Sequence, residues 1–195
     1  MIMEIDIYGT ITPIIEENTD MSAPRLRGLL KKTAGPIDLH INSSGGDVFE
    51  GLAIYNLLKA SPNHITVYID GLAASVASVV AMAGDRIYIP ANAMLMLQSP
   101  WTSAQGNAKE LRKLAADLDR LAESIKNIYM DRTGGRVSRQ DITKLMDQET
   151  WLTGSEALEY GLADEVLNPV KVAACLTHEQ AKMFKNVPEV LNYAR

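Results

Sequence analysis

The amino-acid sequence predicts an α/β protein, a spiral of β/α units around a mostly parallel sheet. β-branched runs alternate with helix-like runs along the chain, which is typical of parallel strands joined by helices. Two glycine-containing segments, residues 42–48 and 71–78, each end a strand-like run and open a helix-like run. Because parallel sheets gather ligand chemistry at the carboxyl ends of their strands, we expect the functional site at these two segments.

The individual elements follow from caps and from hydrophobic spacing. Capping serines and a proline in the first turn place helices at residues 22–32 and 138–146. Leucine and isoleucine at intervals of three and four residues predict the longest helix, at residues 107–130. The remaining predicted elements are strands at residues 5–8, 37–41, 64–69 and 86–90 and helices at residues 49–60 and 75–83.

Length and composition predict one globular domain without a cofactor or metal. The 195 residues are 47% hydrophobic and 22% charged, which is enough for a substantial core. A net charge of −5 provides no basic field for nucleic acid. The single cysteine, Cys175, fits a reducing cytoplasmic compartment and lacks a nearby catalytic motif. We expect no signal peptide and no membrane contact, since residues 76–83 are too few to cross a bilayer.

Ser75 is the candidate nucleophile. It stands where a β-branched run meets an apolar helix, and the first N–H groups of a helix have no intrahelical acceptor. These N–H groups stabilise developing negative charge, so the N–H of Val76 is a candidate oxyanion donor. The alternative is a turn of small residues in which Ser75 only caps a buried helix.

The pair Gly45-Gly46 provides a second candidate donor. Glycine reaches backbone conformations that other residues avoid and allows the backbone to approach a ligand closely. Both glycine segments end a strand and open a helix, so the N–H of Gly46 and the N–H of Val76 could converge on one carbonyl oxygen.

Three motifs in this order resemble the ClpP-type serine peptidases of the wider ClpP/crotonase fold. Residues 41–46 resemble the family's Ile-Asn-Ser-Pro-Gly-Gly, residues 71–75 its Gly-x-Ala-Ala-Ser, and residues 156–164 its Glu-Ala-x-x-Tyr-Gly-Leu-x-Asp. The resemblance covers about residues 5–166. Three further segments resemble segments of the shorter phage and prophage head-maturation proteases: residues 100–102, 106–108 and 149–153.

The resemblance implies a ClpP/crotonase-like spiral with a protruding handle helix. It implies peptide-bond hydrolysis by acyl transfer from Ser75, with Gly46 and Val76 as the oxyanion hole. Residues 1–168 would form the peptidase domain and residues 169–195 a carboxyl-terminal extension. Residues 100–106 would hold the polypeptide substrate as an added strand.

Gln98 stands where the family has its general base. The family motif is Met-Ile-His-x-Pro, and residues 96–100 read Met-Leu-Gln-Ser-Pro. A neutral amide cannot take the serine proton and return it to a leaving amine, so the resemblance implies an impaired peptidase. Natural divergence and deliberate substitution both remain open. We expect no substitute among the histidines: His40 is predicted to be a half-exposed sheet residue, His64 a loop residue and His178 part of the extension.

The acidic member of the triad falls on Glu149 or Asp147. In the family an acid precedes the Phe/Trp-Leu-Thr/Ser segment by two residues, and the register from Trp151 favours Glu149. Because Gln98 carries no positive charge for this carboxylate to stabilise, Glu149 could equally be a solvated loop charge.

The resemblance also implies partners. The apolar stripe of the predicted handle helix suggests a homo-oligomer, a heptameric ring or a stacked pair of rings. The chain begins almost on its first strand, so docking of a Clp-type ATPase is doubtful. One alternative is a non-catalytic ring-forming scaffold or pseudo-protease subunit, for example in a phage head. Another is a crotonase-type acyl-CoA enzyme, which would use the paired N–H groups for a thioester enolate.

Overall fold

The computed structural model describes residues 2–169, 176, 178–188 and 191. Cys175 and several other residues of the predicted extension lie outside the described residues. The described strands are β1 (Met3–Ile7), β2 (Ile37–Ser43), β3 (Ile65–Ala74), β4 (Arg86–Pro90), β5 (Met94–Leu97), β6 (Thr150–Thr153) and β7 (Glu165–Leu167). The described helices are α1 (Ala23–Leu30), α2 (Val48–Lys59), α3 (Val76–Ala81), α4 (Ala108–Thr133), α5 (Arg139–Asp147), α6 (Gly154–Glu159) and α7 (His178–Ala181).

The described strands form one seven-stranded sheet, which confirms the predicted α/β class. Its main path runs β1-β2-β3-β4-β7, and every pair along it is parallel. β5 continues the sheet beside the second half of β3, where β4 has already ended. β6 then pairs antiparallel with β5. β3 is therefore the central strand, and its carboxyl end is enclosed between β2 and β5.

β3 is longer than predicted. The sequence predicts a strand that ends at residue 69, but β3 continues through Ala74. Gly71 to Ala74 are all buried, Ala73 pairs with both Ser43 and Leu95, and Ala74 pairs with Met96. These small residues resemble a turn in sequence, whereas here they allow two neighbouring strands to close tightly on the strand end.

The helix α4 protrudes from the domain, as the resemblance implies. Asn107 and Glu110 form a capping box at its start, and Gly134 in the left-handed conformation (φ 59°) ends it. The buried residues of α4 all lie in its second half, from Ile125 onward. In the first half, Leu111 is 42% exposed. The resemblance implies a strand-and-turn region at residues 100–106, but the segment has no regular secondary structure and residues 101–106 are exposed, so the implied strand is wrong.

The described part of the extension packs on its own domain. Its described helix, α7, is four residues long. Phe184 packs edge-to-face on Trp151, with ring centroids 5.3 Å apart. A small apolar cluster outside the main core joins this segment to the ends of β3 and β5: Leu72, Ala74, Met96, Leu176, Phe184 and Leu191. Over the residues that can be described, no helix is long and apolar enough to cross a membrane.

A polar and aromatic row crosses the half-buried face of the sheet. The rings of His40, Tyr68 and Tyr88 stack in sequence from β2 to β4, with centroid distances of 4.9 and 5.3 Å. Asp70 Oδ2 lies 2.8 Å from His40 Nδ1 and also accepts a hydrogen bond from the Tyr8 hydroxyl. The hydrogen bond with Asp70 raises the pKa of His40 above its ordinary value, against the opposing effect of burial.

We expect Gly51→Ala to destabilise the fold. A Cβ at Gly51 in α2 would lie 2.1 Å from Cγ2 and 3.0 Å from Cβ of Val76, so a change of rotamer cannot relieve the overlap. The free energy of unfolding in urea should fall by about 1–3 kcal/mol, as is typical of overpacked cores. Gly28→Ala in α1 is the matched control, because nothing lies within 4 Å of its added Cβ. It should be neutral or stabilising by up to about 1 kcal/mol, and equal losses in both variants would contradict the prediction.

We also expect the pair His40–Asp70 to make stability depend on pH. A pKa raised in the folded state adds stability that is fully present below the unfolded pKa of about 6.5 and is lost as pH rises through the folded pKa. Asp70→Asn should therefore lower the free energy of unfolding most in mild acid. The difference in this free energy between the variant and the unchanged protein, called the gap below, should narrow above neutrality. Tyr8→Phe, which removes the other bond to Asp70, should give a gap that does not change with pH over this range.

Candidate active site

The turn between β3 and α3 presents Ser75 in a conformation that few residues adopt. Its backbone has φ 55° and ψ −131°, and its side chain makes no capping hydrogen bond to α3. The alternative in which Ser75 only caps the helix is therefore wrong. Its N–H donates to the Met96 carbonyl at 3.1 Å, which ties the turn to the end of β5. The hydroxyl remains available for chemistry at the carboxyl end of the central strand.

The glycine pair packs directly against this turn. Gly45 (φ 97°) and Gly46 (φ 147°) both have positive φ. A Cβ on Gly45 would lie 2.8 Å from the Ala74 carbonyl oxygen and 2.9 Å from Ser75 Cβ. A Cβ on Gly46 would lie 2.1 Å from the Ile11 carbonyl oxygen. This close approach therefore requires glycine at both positions.

Where the glycine loop meets the serine turn, two backbone N–H groups donate no hydrogen bond among the described contacts. Ile11 bridges the glycine loop by donating to the Gly45 carbonyl at 2.8 Å and accepting from the Asp47 N–H at 2.7 Å. This bridge does not use the N–H of Gly46. Val76 is the first residue of α3, so its N–H has no acceptor within the helix. The two predicted oxyanion donors thus lie on adjoining turns beside Ser75.

Gln98 contacts Ser75 directly. Gln98 follows β5, and its Nε2 donates to Ser75 Oγ at 2.7 Å. This is the reverse of a general base, which would accept the hydroxyl proton. An amide with its oxygen turned toward Ser75 could accept a hydrogen bond from the hydroxyl, but an amide oxygen is far too weak a base to take the proton near neutral pH. The contact holds the hydroxyl in place without activating it.

Glu149 and Asp147 have different surroundings. Glu149 is 8% exposed and has a left-handed backbone (φ 51°). Its Oε1 accepts the backbone N–H groups of Lys185 and Asn186, both at 2.7 Å. Glu149 is therefore not a solvated loop charge. Asp147 is exposed and accepts a hydrogen bond from Ser99 Oγ at 2.8 Å. Among the described contacts, neither carboxylate is bonded to Gln98.

A groove with a volume of about 420 Å³ opens beside Ser75. Its floor is apolar, and α4 forms one wall. Trp101 is 59% exposed at its edge, within the irregular segment that follows Gln98. Two carboxylates, Asp47 and Asp117, also line the groove. Its apolar lining consists of Val48, Phe49, Val76, Val79, Pro100, Trp101, Leu114, Leu118, Leu121 and Ile125.

Neither histidine with a described side chain reaches the serine. His40 bonds to Asp70 on the sheet face, and His64 Nδ1 lies 3.3 Å from Asp85 Oδ2. For His178 only the backbone is described, in α7. Within the described ranges, no three His, Cys, Asp or Glu residues gather into a group that could hold a metal ion.

Sequence reasoning missed one feature of the site. Ser78, one turn into α3, donates from Oγ to the Ser75 carbonyl at 2.6 Å, and the Tyr129 hydroxyl lies 2.7 Å from the same Oγ. The spacing of Ser78 three residues after Ser75 is a usable signal, because serine hydroxyls often bond to a carbonyl three or four residues earlier. Tyr129 gave no such signal, since it lies on the mainly apolar face of a long helix.

Comparisons with known proteins agree with this geometry. The sequence model of the Clp protease family matches residues 7–170. An ATP-dependent Clp protease proteolytic subunit from Bacteroides fragilis is 34% identical over 134 residues, and one from Chlorella vulgaris is 35% identical over 131 residues. These alignments cover 67% and 66% of this chain but only 63% and 64% of the two relatives.

A solved structure shows the same fold. A ClpP1 mutant from Listeria monocytogenes superposes with a TM-score of 0.71 at 26% sequence identity. The superposition covers 85% of this chain and 91% of that chain. The strained serine turn, the glycine loop beside it and the matched sequence lead to one assignment: the chain belongs to the Clp protease family.

Proposed function

We propose that this chain is a ClpP-like serine endopeptidase that can be acylated at Ser75 but hydrolyses peptides slowly, because Gln98 replaces the family histidine. The observation that carries the proposal is the hydrogen bond of 2.7 Å from Gln98 Nε2 to Ser75 Oγ. This contact supports the proposal because the amide meets the serine hydroxyl, which a base would have to contact, at a turn with the unusual φ of 55°.

The proposed reaction assigns a role to each group. Ser75 Oγ attacks the peptide carbonyl carbon, and the carbonyl oxygen becomes an oxyanion that accepts from the N–H groups of Gly46 and Val76. The amide of Gln98 neither takes the serine proton nor protonates the leaving amine, so general acid–base catalysis, typically worth about 10²–10⁴-fold in rate, is lost. Reagents whose leaving groups need no proton are less affected. Acylation or phosphonylation of Ser75 should therefore survive better than peptide hydrolysis.

Glu149, rather than Asp147, is proposed as the acidic position. Glu149 directly precedes β6, and Gln98 directly follows β5. Leu97 pairs with Thr150 across these two antiparallel strands, so Gln98 and Glu149 occupy adjoining positions just beyond the last pair. The burial of Glu149 also distinguishes it from the exposed Asp147.

The groove supports a polypeptide substrate. Its apolar floor next to Ser75 fits a hydrophobic side chain beside the cleaved bond, and its open end along the exposed Trp101 leaves space for an extended chain. The specificity we propose is therefore for apolar residues on the acyl side of the cleaved bond.

Assembly into a homo-oligomer, a heptameric ring or a stacked pair of rings, completes the proposal. It is supported by the apolar stripe on the protruding half of α4, which the described part of the chain covers only incompletely. Three finer expectations belong with the proposal: a relation to prophage-type members, a domain over residues 1–168 with an extension over 169–195, and a cytoplasmic location.

A non-catalytic scaffold is the second candidate, and Gln98 itself favours it. Labelling with a fluorophosphonate separates the two, since its fluoride leaves without protonation. Labelling at Ser75 that disappears in Ser75→Ala supports the peptidase, and no labelling supports the scaffold. The crotonase-type alternative requires binding of a CoA thioester, and the names of the relatives give it no support.

We expect Gln98→His to raise peptide hydrolysis by at least about 100-fold, because it restores a group that can carry the proton from serine to leaving amine. The measurement is kcat/KM on a fluorogenic peptide with an apolar residue before the cleaved bond. Ser75→Ala in the Gln98→His background should abolish the gain. The proposal fails if Gln98→His has no effect while Ser75→Ala abolishes an already robust turnover.

We expect a charge on the apolar stripe of α4 to dissociate the assembly. Light scattering should show a species much heavier than the 21.4 kDa chain, and Leu114→Glu or Leu118→Glu should reduce its mass. Ala116→Glu is the matched control, because it adds the same charge on the opposite face of the helix. A monomer in the unchanged protein, or equal dissociation in all three variants, would contradict this prediction.

A further inference from the structure

The carbonyl of Ser75 accepts two hydrogen bonds from one residue. Ser78 donates to it from its backbone N–H at 3.0 Å and from its Oγ at 2.6 Å. This carbonyl belongs to the same peptide unit as the N–H of Val76. A trans peptide unit is planar, and its N–H points opposite to its carbonyl. Holding the carbonyl of Ser75 therefore fixes the direction of the Val76 N–H.

Tyr129 completes this arrangement from α4. The proton of the Ser78 hydroxyl is directed to the Ser75 carbonyl, so the Tyr129 hydroxyl is the donor in the contact of 2.7 Å with Ser78 Oγ. Burial raises the pKa of Tyr129 well above its usual value, which keeps this donor protonated. Donors in such a chain polarise one another, so the bond from Ser78 to the carbonyl is stronger with the tyrosine hydroxyl than without it.

The hydrogen bonds from Tyr129 to Ser78 and from Ser78 to the Ser75 carbonyl are buried and lie next to the candidate nucleophile. Ser78 is 0% exposed and Tyr129 is 1% exposed, so water does not compete for either hydroxyl. An apolar pair would fill the same space without polar groups that need partners. The hydroxyls act on one target, the strained peptide unit next to the candidate nucleophile.

We propose that Ser78 and Tyr129 are positioning residues that aim the Val76 N–H at the reacting carbonyl oxygen and so connect α4 to the oxyanion hole. This inference rests on the proposed function, because it assigns the donor that the acyl transfer would use. Its direct structural content, the fixed orientation of the Ser75–Val76 peptide, can be tested without any activity.

The first experiment observes this peptide in the ligand-free protein. Labelling with carbonyl-¹³C serine and ¹⁵N valine selects Ser-Val pairs, and the chain has two, Ser75–Val76 and Ser78–Val79. In Tyr129→Phe the Ser75 carbonyl resonance should move upfield and the order parameter of the Val76 N–H should fall. The Ser78–Val79 pair, within the same helix, should keep its order parameter. Unchanged Ser75–Val76 signals would overturn the inference.

The second experiment measures oxyanion binding. A peptide boronate forms a tetrahedral adduct with the serine, whereas the matching peptide amide binds without one. Tyr129→Phe and Ser78→Ala should raise the dissociation constant of the boronate about tenfold, part of the 10²–10³ that loss of a whole oxyanion donor costs. Affinity for the peptide amide should be unchanged.

Thr133→Val is the matched control. Thr133 is a buried hydroxyl on the same helix, but it donates to the Met130 carbonyl and not toward the site. It should leave both affinities unchanged. Equal weakening in all three variants, or parallel weakening of boronate and amide, would overturn the inference. If the unchanged protein binds no boronate, the proposed function fails, and the Ser75–Val76 signals still decide the inference.

Discussion

The site depends on the close approach of two backbone turns at the end of the central strand. The glycine loop lies against the serine turn at distances that leave no space for a Cβ on Gly45. Ser75 and Gly45 both have positive φ, and for a serine this conformation has an energetic cost. Neighbouring bonds hold the arrangement: the Gly45 N–H donates to Ser43 Oγ at 3.1 Å, and Ser43 Oγ donates to the Gly9 carbonyl at 2.6 Å. The strain at the serine is therefore maintained by the first two strands of the sheet.

The sheet order explains which side chains meet at this point. β4 ends early beside β3, and β5 takes its place along the last residues of the strand. Gln98, just after β5, is thereby placed beside the serine. β6 pairs antiparallel with β5 and so returns the chain to the same end of the sheet, where it places Glu149. Residues separated by more than 70 positions in sequence thus share one edge through strand pairing alone.

Much of this arrangement could be predicted from local signals in the sequence. The caps Ser22 and Ser138 were identifiable because each side chain accepts an N–H of its own helix, a contact that depends on only a few residues. The two glycine segments were identifiable for a similar reason, since they mark strand ends in the sequence itself. These signals were sufficient for the fold class and for the position of Ser75.

The errors arose where tertiary contacts decide the outcome. Gly71 to Ala74 form a strand because β2 and β5 pair with them, which their small side chains do not indicate. The hydrogen bonding of Glu149, which rules out a solvated loop charge, depends on the carboxyl-terminal segment 36 residues later in the chain. The bond between Ser78 and Tyr129 joins residues 51 positions apart. None of these contacts has a periodicity that a single sequence could show.

The carboxyl-terminal segment supplies the hydrogen-bond donors of Glu149. In a complete triad a buried carboxylate is stabilised by the imidazole that it orients. An amide offers no positive charge, and a buried carboxylate without donors would be strongly destabilising. Here the N–H groups of Lys185 and Asn186 supply the missing donors. Both donate to Oε1, so Oε2 can still accept a hydrogen bond from an imidazole N–H at position 98. Docking of the carboxyl-terminal segment therefore leaves Oε2 able to take part in the triad contact that the proposed function assigns to a histidine at position 98.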